Sequence, residues 1–222
     1  MSWALGESPL DVADVGAGTG LLTRALIAAG HRVVAVEPDR QMLDTLAAST
    51  SGVLDCRQGP AENLPLPDGS FDAVAVGQAY HWFDPRRALP EIARVLRPGG
   101  ALIPIWNIRD EGVDWVRQLT RIIGASDAEI TATMATRPGS FAPRFADPRL
   151  RIFRHEKPMI VDDLLRLVKS RSYYITADET RKRRLLDGVR ELAATHPALK
   201  GRDVFAMPYK VYVYRATPAQ TG

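Results

Sequence analysis

A glycine-rich segment, residues 14–20, has the sequence Asp-Val-Gly-Ala-Gly-Thr-Gly and follows a short apolar run. A strand that enters a helix through such a turn lets a ligand approach the backbone at the carboxyl end of the strand. The residues that could hold a nucleotide-type cofactor here are Asp14, Gly16, Ala17, Gly18 and Gly20. A dinucleotide-binding turn is the competing interpretation, but its third glycine comes one place later, and it has a small residue where this chain has Leu21.

An acidic residue, Glu37, lies at the end of the next β-rich run, 21 positions after Gly16. Its carboxylate could accept hydrogen bonds from both hydroxyls of a ribose, which suits either kind of nucleotide cofactor. The alternative is a solvated glutamate at a strand end. Pro38, which follows, is also a candidate for cofactor binding, although it could simply end the strand.

The first half of the chain alternates short β-rich runs with amphipathic helical runs, which predicts crossover connections and a parallel sheet. The predicted strands are residues 10–15, 32–36, 53–58, 71–76 and 101–106, and the helices between them are 20–29, 40–48 and 85–96. The last of these helices is expected to stop at Pro98-Gly99-Gly100, and Asp84 has the type and position of its N-cap.

The alternation stops after Asn107. Residues 112–148 are predicted to form one or two helices and a proline-rich loop, an insertion that could act as a lid. Two late strands are expected at residues 150–155 and 204–215, with helices at 161–170 and 177–195 between them.

Composition narrows the function classes. With 222 residues, 45% of them apolar, the chain is expected to form a single domain over residues 1–222. Its net charge is only +3, and the basic run 181–184 is interpreted as a solvated helix face, so no nucleic-acid partner is expected. The single cysteine, Cys56, excludes an internal disulfide and gives no sign of a metal site. No apolar run is long enough to span a membrane, so we expect a cytoplasmic protein without a membrane partner.

Five motifs, in order, resemble those of the class I S-adenosylmethionine-dependent methyltransferases. They are residues 14–20, Val-Glu-Pro at 36–38, Ala-Glu-Asn-Leu-Pro at 61–65, Phe-Asp at 71–72 and Leu-Arg-Pro-Gly-Gly at 96–100. Residues 78–84, 170–174, 186–190 and 208–215 are similar to the methyltransferase type 11, ubiquinone-biosynthesis-like subgroup. The resemblance implies a doubly wound, mostly parallel seven-stranded sheet with helices on both faces, a Rossmann-like fold, and an antiparallel C-terminal strand.

The resemblance also implies roles toward S-adenosylmethionine, and it implies no metal. Asp14 and the backbone of Gly16 and Gly18 would hold the methionine end, and Glu37 the ribose. The adenine edge would meet Ala61 and Glu62, and its face would be covered by Met42. Gly77 and Gln78, at the end of the fourth strand, would also bind the cofactor, with Gln78 near the sulfonium and the substrate entrance. A nucleotide-dependent oxidoreductase and a cofactor-binding protein without catalysis remain the alternatives.

The acceptor side is expected around the ends of the fourth and fifth strands, and the candidates are Tyr80, His81, Trp82, Trp106 and Asn107. Methyl transfer needs no protein nucleophile, so His81 would serve as a general base only for an acceptor that must lose a proton. Its alternative is packing with Trp82 as an aromatic wall, and Trp106 could equally fill a core. The chain lacks the Asn/Asp-Pro-Pro-aromatic motif typical of methyltransferases that act on DNA bases or glutamine amides, which favours a small-molecule acceptor.

The family normally has a longer segment before the first strand, whereas about ten residues precede it in this sequence. We therefore expect either that the sequence is truncated at its start, or that the N-terminal cover is shortened and residues 112–148 close the site instead.

Overall fold

A seven-stranded sheet in the order β3-β2-β1-β4-β5-β7-β6 organises the computed structural model, which describes residues 2–125, 127–137, 139–146 and 148–219. The strands are β1 (Asp11–Val15), β2 (Arg32–Glu37), β3 (Asp55–Gln58), β4 (Phe71–Gly77), β5 (Leu96–Arg109), β6 (Arg149–Met159) and β7 (Phe205–Arg215). The first five strands are parallel, and the C-terminal strands are antiparallel. The predicted fold class is therefore confirmed.

The helices are α1 (Ser2–Leu5), α2 (Leu21–Ala28), α3 (Arg40–Ser49), α4 (Pro85–Val95), α5 (Asp114–Ile123), α6 (Asp127–Met134), α7 (Val161–Lys169), α8 (Ser172–Ile175) and α9 (Glu179–Thr195). Aspartates begin two of the helices that flank the sheet. Asp39 accepts hydrogen bonds from the backbone of Gln41 and Met42, and Asp84 accepts one from Arg86, which confirms the predicted N-cap of α4. None of the helices in the described ranges is long and apolar enough to span a bilayer.

The start of β5 differs from the prediction. Helix α4 ends at Val95, and the strand begins directly at Leu96, although we expected a turn over Pro98-Gly99-Gly100 before a strand at residue 101. The pairing shifts register here, because Phe71 pairs with Leu96 whereas Ala73 pairs with Ala101. Gly99 takes a left-handed φ of 83° in the bulge that absorbs the extra residues.

The late strand β6 also runs further than predicted, to Met159, and it includes Pro158. Proline cannot donate a ladder hydrogen bond, which normally ends a strand in a sequence-based prediction. At the outer edge of the sheet this loss is tolerated, since one side of β6 has no partner strand among the described residues.

The chain clusters into two compact units. Unit 1 contains the described residues of Met1–Trp106, Ile130–Ile152 and Tyr212–Gly222, and unit 2 contains Asn107–Glu129 and Phe153–Val211. In unit 1 the strands β1, β2 and β4 are buried on both faces, as a parallel sheet covered by helices should be. In unit 2 the apolar faces of α5, α7 and α9 meet around Leu119, Leu164 and Val189. The single domain and the lid stay predictions, and residues 112–148 are divided between the two units.

Candidate functional site

The glycine loop between β1 and α2 is bonded to the end of β2. The amides of Gly16 and Ala17 both donate to the carbonyl of Val36, at 2.8 and 3.1 Å. Gly16 has a φ of 71°, and a Cβ built on it would lie 2.5 Å from the Cβ of Ala79. Only glycine therefore lets the loop approach the segment that follows β4.

The carboxylate of Glu37 is oriented by two backbone amides. Its Oε2 accepts a hydrogen bond from Gly18 at 2.8 Å, and its Oε1 accepts one from Asp39 at 3.1 Å. The side chain is buried, with 7% of its surface exposed. The glycine loop and Glu37, which the sequence placed on separate elements, are thus joined by a hydrogen bond.

A cavity of about 400 Å³, which we call the glycine-loop cavity, lies at the carboxyl ends of β1, β2 and β4. Ten of the twelve residues proposed for cofactor binding line it: Gly16, Ala17, Gly18, Glu37, Pro38, Met42, Ala61, Glu62, Gly77 and Gln78. Asp39, Pro60, Ala79, Trp82 and Phe83 complete the lining. The other two proposed residues, Asp14 and Gly20, do not line it.

Asp14 is fully buried at the end of β1. Its Oδ2 accepts a hydrogen bond from the hydroxyl of Thr23 at 2.6 Å, whereas Oδ1 has no partner among the described residues. Burial raises the pKa of this carboxyl to about 7, and the negative charge of Glu37 adds to the rise, although the bond from Thr23 opposes it. Asp14 thus has an oxygen available to a donor.

Gly20 has a packing role. A Cβ at this position would lie 2.8 Å from Cγ of Leu46 and 3.0 Å from the hydroxyl oxygen of Thr50. The bare glycine therefore allows α3 and the residue after it to pack against the start of α2.

Gln78, directly after β4, has a φ of 57° and is the one non-glycine residue with a positive φ in the described ranges. A residue with a Cβ pays an energy cost in this left-handed region, and such strain is concentrated at functional sites. Gln78 also lines the glycine-loop cavity. The sequence proposed this residue for the site but gave no sign of its backbone conformation.

We expect Gln78→Gly to be more stable than Gln78→Ala, with a free energy of unfolding larger by about 1 kcal/mol. Both variants lose the side chain, but only glycine removes the backbone strain. Urea denaturation of the two variants measures this difference directly. Equal stability of the two would show that the backbone at this position is not strained.

A second cavity, of about 480 Å³, adjoins the first. We call it the aromatic cavity, and it is lined by Tyr80, His81, Phe83, Pro85, Thr131, Met134, Ala135, Arg137, Gly139, Ser140 and Phe141. Phe83 lines both cavities. A single helical turn, Tyr80–Trp82, directs Tyr80 and His81 into the aromatic cavity and Trp82, which is 73% exposed, into the glycine-loop cavity.

Tyr80 is buried among aromatic rings, with centroids 5.3 Å from Phe141, 5.8 Å from Phe83 and 5.9 Å from Trp106. Its hydroxyl has no hydrogen-bond partner in the described part of the chain. Burial raises the pKa of this phenol, so the hydroxyl stays protonated and can donate. A buried donor without an acceptor is costly unless a ligand or water completes it.

The comparisons with known proteins identify the family. A methyltransferase-domain family model matches residues 13–103. An uncharacterized methyltransferase of Mycobacterium tuberculosis is 44% identical over 223 residues, which covers 99% of this chain and 88% of the relative. The chain belongs to the methyltransferase family. A methyltransferase-like protein of Schizosaccharomyces pombe, also uncharacterized, is 31% identical over 219 residues, covering 96% of this chain and 85% of that protein.

Solved structures support the class I methyltransferase fold. A structure assigned to a type II methyltransferase of Anaeromyxobacter dehalogenans aligns with a TM-score of 0.70 at 22% identity, over 94% of this chain and 89% of that one. A structure assigned to a methyltransferase of an antibiotic biosynthesis pathway in Anabaena variabilis aligns at 0.64 and 21% identity, over 96% and 93% of the two chains. At these identities the likeness concerns the fold alone.

Two of the acceptor-side candidates of this methyltransferase lie in neither cavity. Trp106 is fully buried in unit 1, where its ring meets Tyr80 and Tyr214 edge to face. Asn107 belongs to unit 2, where its Oδ1 lies 3.0 Å from Nε2 of His155. For Trp106 the structure thus matches the core interpretation that the sequence left open.

Sequence reasoning missed most of the far wall of the methyltransferase's aromatic cavity. Met134, Arg137 and Phe141 come from a segment known only as part of a proline-rich insertion, and no motif marks them. Asp39 and Pro60 could have been found, since each adjoins a proposed residue. Among the described residues, no three His, Cys, Asp or Glu side chains cluster closely enough to hold a metal ion.

Proposed function

We propose that this methyltransferase transfers a methyl group from S-adenosylmethionine to a small-molecule acceptor. The observation that carries the proposal is the Glu37 carboxylate, which two backbone amides fix at the wall of the glycine-loop cavity. Each of its oxygens accepts one backbone hydrogen bond and keeps a lone pair for a ribose hydroxyl.

The remaining residues fit the other parts of this cofactor. Asp14 does not line the cavity, but its unpartnered Oδ1 would suit the ammonium of a methionine moiety that reaches it, since a buried carboxylate oxygen needs a donor. Gly18 leaves open space where a side chain would stand, with no atom within 4 Å of a Cβ built there. Ala61 and Glu62 would meet the adenine edge, and the half-exposed Met42 would cover its face.

The bound cofactor would supply a methyl group on a sulfonium sulfur, and the thioether that remains is a good leaving group. The protein therefore mainly positions the acceptor and excludes water. Phe83 lines both cavities, which supports binding of the acceptor in the aromatic cavity beside the cofactor. His81 lines the aromatic cavity and would take the proton of an acceptor that must lose one.

Differential scanning fluorimetry tests the donor. S-adenosylhomocysteine at 100 times its dissociation constant should stabilise the folded protein by about 2.7 kcal/mol, since a ligand that binds only the folded form raises its stability. In a chain of this length that corresponds to a rise in melting temperature of about 5–10 °C. NAD and NADP at the same concentration should leave the melting temperature unchanged. Stabilisation by NAD or NADP alone would favour an oxidoreductase.

A further inference from the structure

We infer that the acceptor is an organic acid with an apolar body, and that Arg137 recognises its carboxylate at the aromatic cavity. The inference rests on the proposed function, because it assigns the acceptor of the same reaction. It follows from the shape of the cavity, from its walls, and from the charges that surround it.

The walls of the aromatic cavity are largely apolar. Tyr80, Phe83 and Phe141 supply three rings, and Pro85, Met134 and Ala135 supply aliphatic surface. A volume of about 480 Å³ lies in the range of sites that enclose a small molecule. Such walls favour a hydrocarbon or aromatic body, since burying apolar surface is the main driving force for binding in a preformed pocket.

The charged residues at this site are all basic. Arg137 lines the aromatic cavity, and an adjoining recess of about 310 Å³, which shares Pro85 and Ser140 with it, is lined by Arg86 and Arg144. No aspartate or glutamate among the described residues lines either space. Asp84 lies two positions before Arg86, and its Oδ1 already accepts a hydrogen bond from the backbone of Arg86.

These three arginines form no ion pair within the described ranges. Some other arginines of the chain do form ion pairs, as Arg94 does with Glu91 and Arg109 with Glu129. Three guanidinium groups that form no ion pair with a described carboxylate favour a positive potential, which attracts an anion and opposes a cationic acceptor. Arg137 is the one that lines the aromatic cavity itself, so a carboxylate bound there would meet it first.

A buried donor supplies the second, independent sign of an acidic ligand. Tyr80 is 7% exposed and lines the aromatic cavity, and its hydroxyl has no acceptor in the described part of the chain. A carboxylate has only acceptor sites, and it would satisfy this hydroxyl in a charge-assisted hydrogen bond. A protonated ligand amine, which is a donor only, would leave the Tyr80 hydroxyl without an acceptor.

The test uses 3-phenylpropanoate and its neutral isostere 3-phenylpropanamide as probes, titrated with and without saturating S-adenosylhomocysteine. The wild-type protein should bind the acid about tenfold more tightly than the amide at low ionic strength. Arg137→Gln should lower the affinity for the acid about tenfold and leave the affinity for the amide unchanged. Arg121→Gln, at an exposed arginine of α5 in unit 2, is the matched control and should change neither.

Affinity for S-adenosylhomocysteine, measured in the same proteins, separates the two levels of the argument. If S-adenosylhomocysteine binds but the two probes bind equally well or not at all, the inference about the acceptor is wrong and the proposed function stands. If Arg137→Gln and Arg121→Gln weaken acid binding alike, Arg137 has no specific role. If S-adenosylhomocysteine itself does not bind, the proposed function fails, whatever the probes do.

Discussion

Glu37→Ala is expected to lower the affinity for S-adenosylhomocysteine about 100-fold. The variant removes the proposed acceptor of both ribose hydroxyls, and hydrogen bonds to a charged group contribute about 1.5–3 kcal/mol each. It also leaves the amides of Gly18 and Asp39 without their acceptor, so the glycine loop loses one of its hydrogen bonds to the end of β2 and keeps those to the Val36 carbonyl. Isothermal titration calorimetry of wild type and variant measures the effect.

Two further variants make this result specific to the ribose interaction. Glu37→Gln keeps the shape and one acceptor oxygen, so its affinity should fall between those of wild type and Glu37→Ala. Glu7→Ala removes an exposed glutamate that lines neither cavity and should bind as wild type does. Unchanged affinity in Glu37→Ala would remove the main support for a nucleotide cofactor in the glycine-loop cavity.

Asp14→Asn is expected to change how the stability of the ligand-free protein depends on pH. The folded-state pKa of Asp14 is raised to about 7 from an ordinary value of 3.8, so the folded protein holds this proton over a pH range where the unfolded chain has released it. Stability should therefore fall as pH rises from about 4 to about 7. Above that range the loss of stability approaches about 4 kcal/mol, since each pH unit between the two pKa values corresponds to about 1.4 kcal/mol.

The asparagine variant carries no charge at this position and keeps an oxygen for the bond from Thr23. Its unfolding free energy should exceed that of wild type by a few kcal/mol at pH 8, while the two should agree near pH 4. Urea unfolding at both pH values gives the difference, which isolates Asp14 from the other carboxylates. Asp203→Asn, at an exposed position, is the control and should parallel wild type. A constant offset between wild type and Asp14→Asn at both pH values would contradict the raised pKa.

The same variant should bind S-adenosylhomocysteine more weakly than wild type does. An amide oxygen without charge is a poorer partner for an ammonium than a carboxylate. Greater stability together with weaker binding is the pattern expected of a residue that a protein keeps for function at a cost in stability.

The parallel half of the fold could be predicted because its signals are local. The hydrophobic periodicity and the turn residues between segments locate β1, β2 and β4. The spacing from Gly16 to Glu37 follows from the length of one helix and one strand. The residues that line the glycine-loop cavity lie mostly within three positions of a strand end, so a motif fixes them once the order of the strands is known.

What escaped prediction depends on tertiary contacts. The left-handed backbone of Gln78 is set by what surrounds it, and no residue type announces it. Trp106 ends up in the core because Tyr80 and Tyr214 cover it, yet an aromatic residue near a strand end has the same appearance in a pocket. The bulge at Gly99 was not predicted because a proline and two glycines normally indicate a turn.

A crystal structure of the protein with S-adenosylhomocysteine tests the central claim most directly. The account predicts the ligand in the glycine-loop cavity, with both ribose hydroxyls hydrogen-bonded to Glu37, its amino group on the side of Asp14 and its sulfur toward Phe83 and the aromatic cavity. A ligand bound elsewhere, or with its ribose away from Glu37, would contradict it.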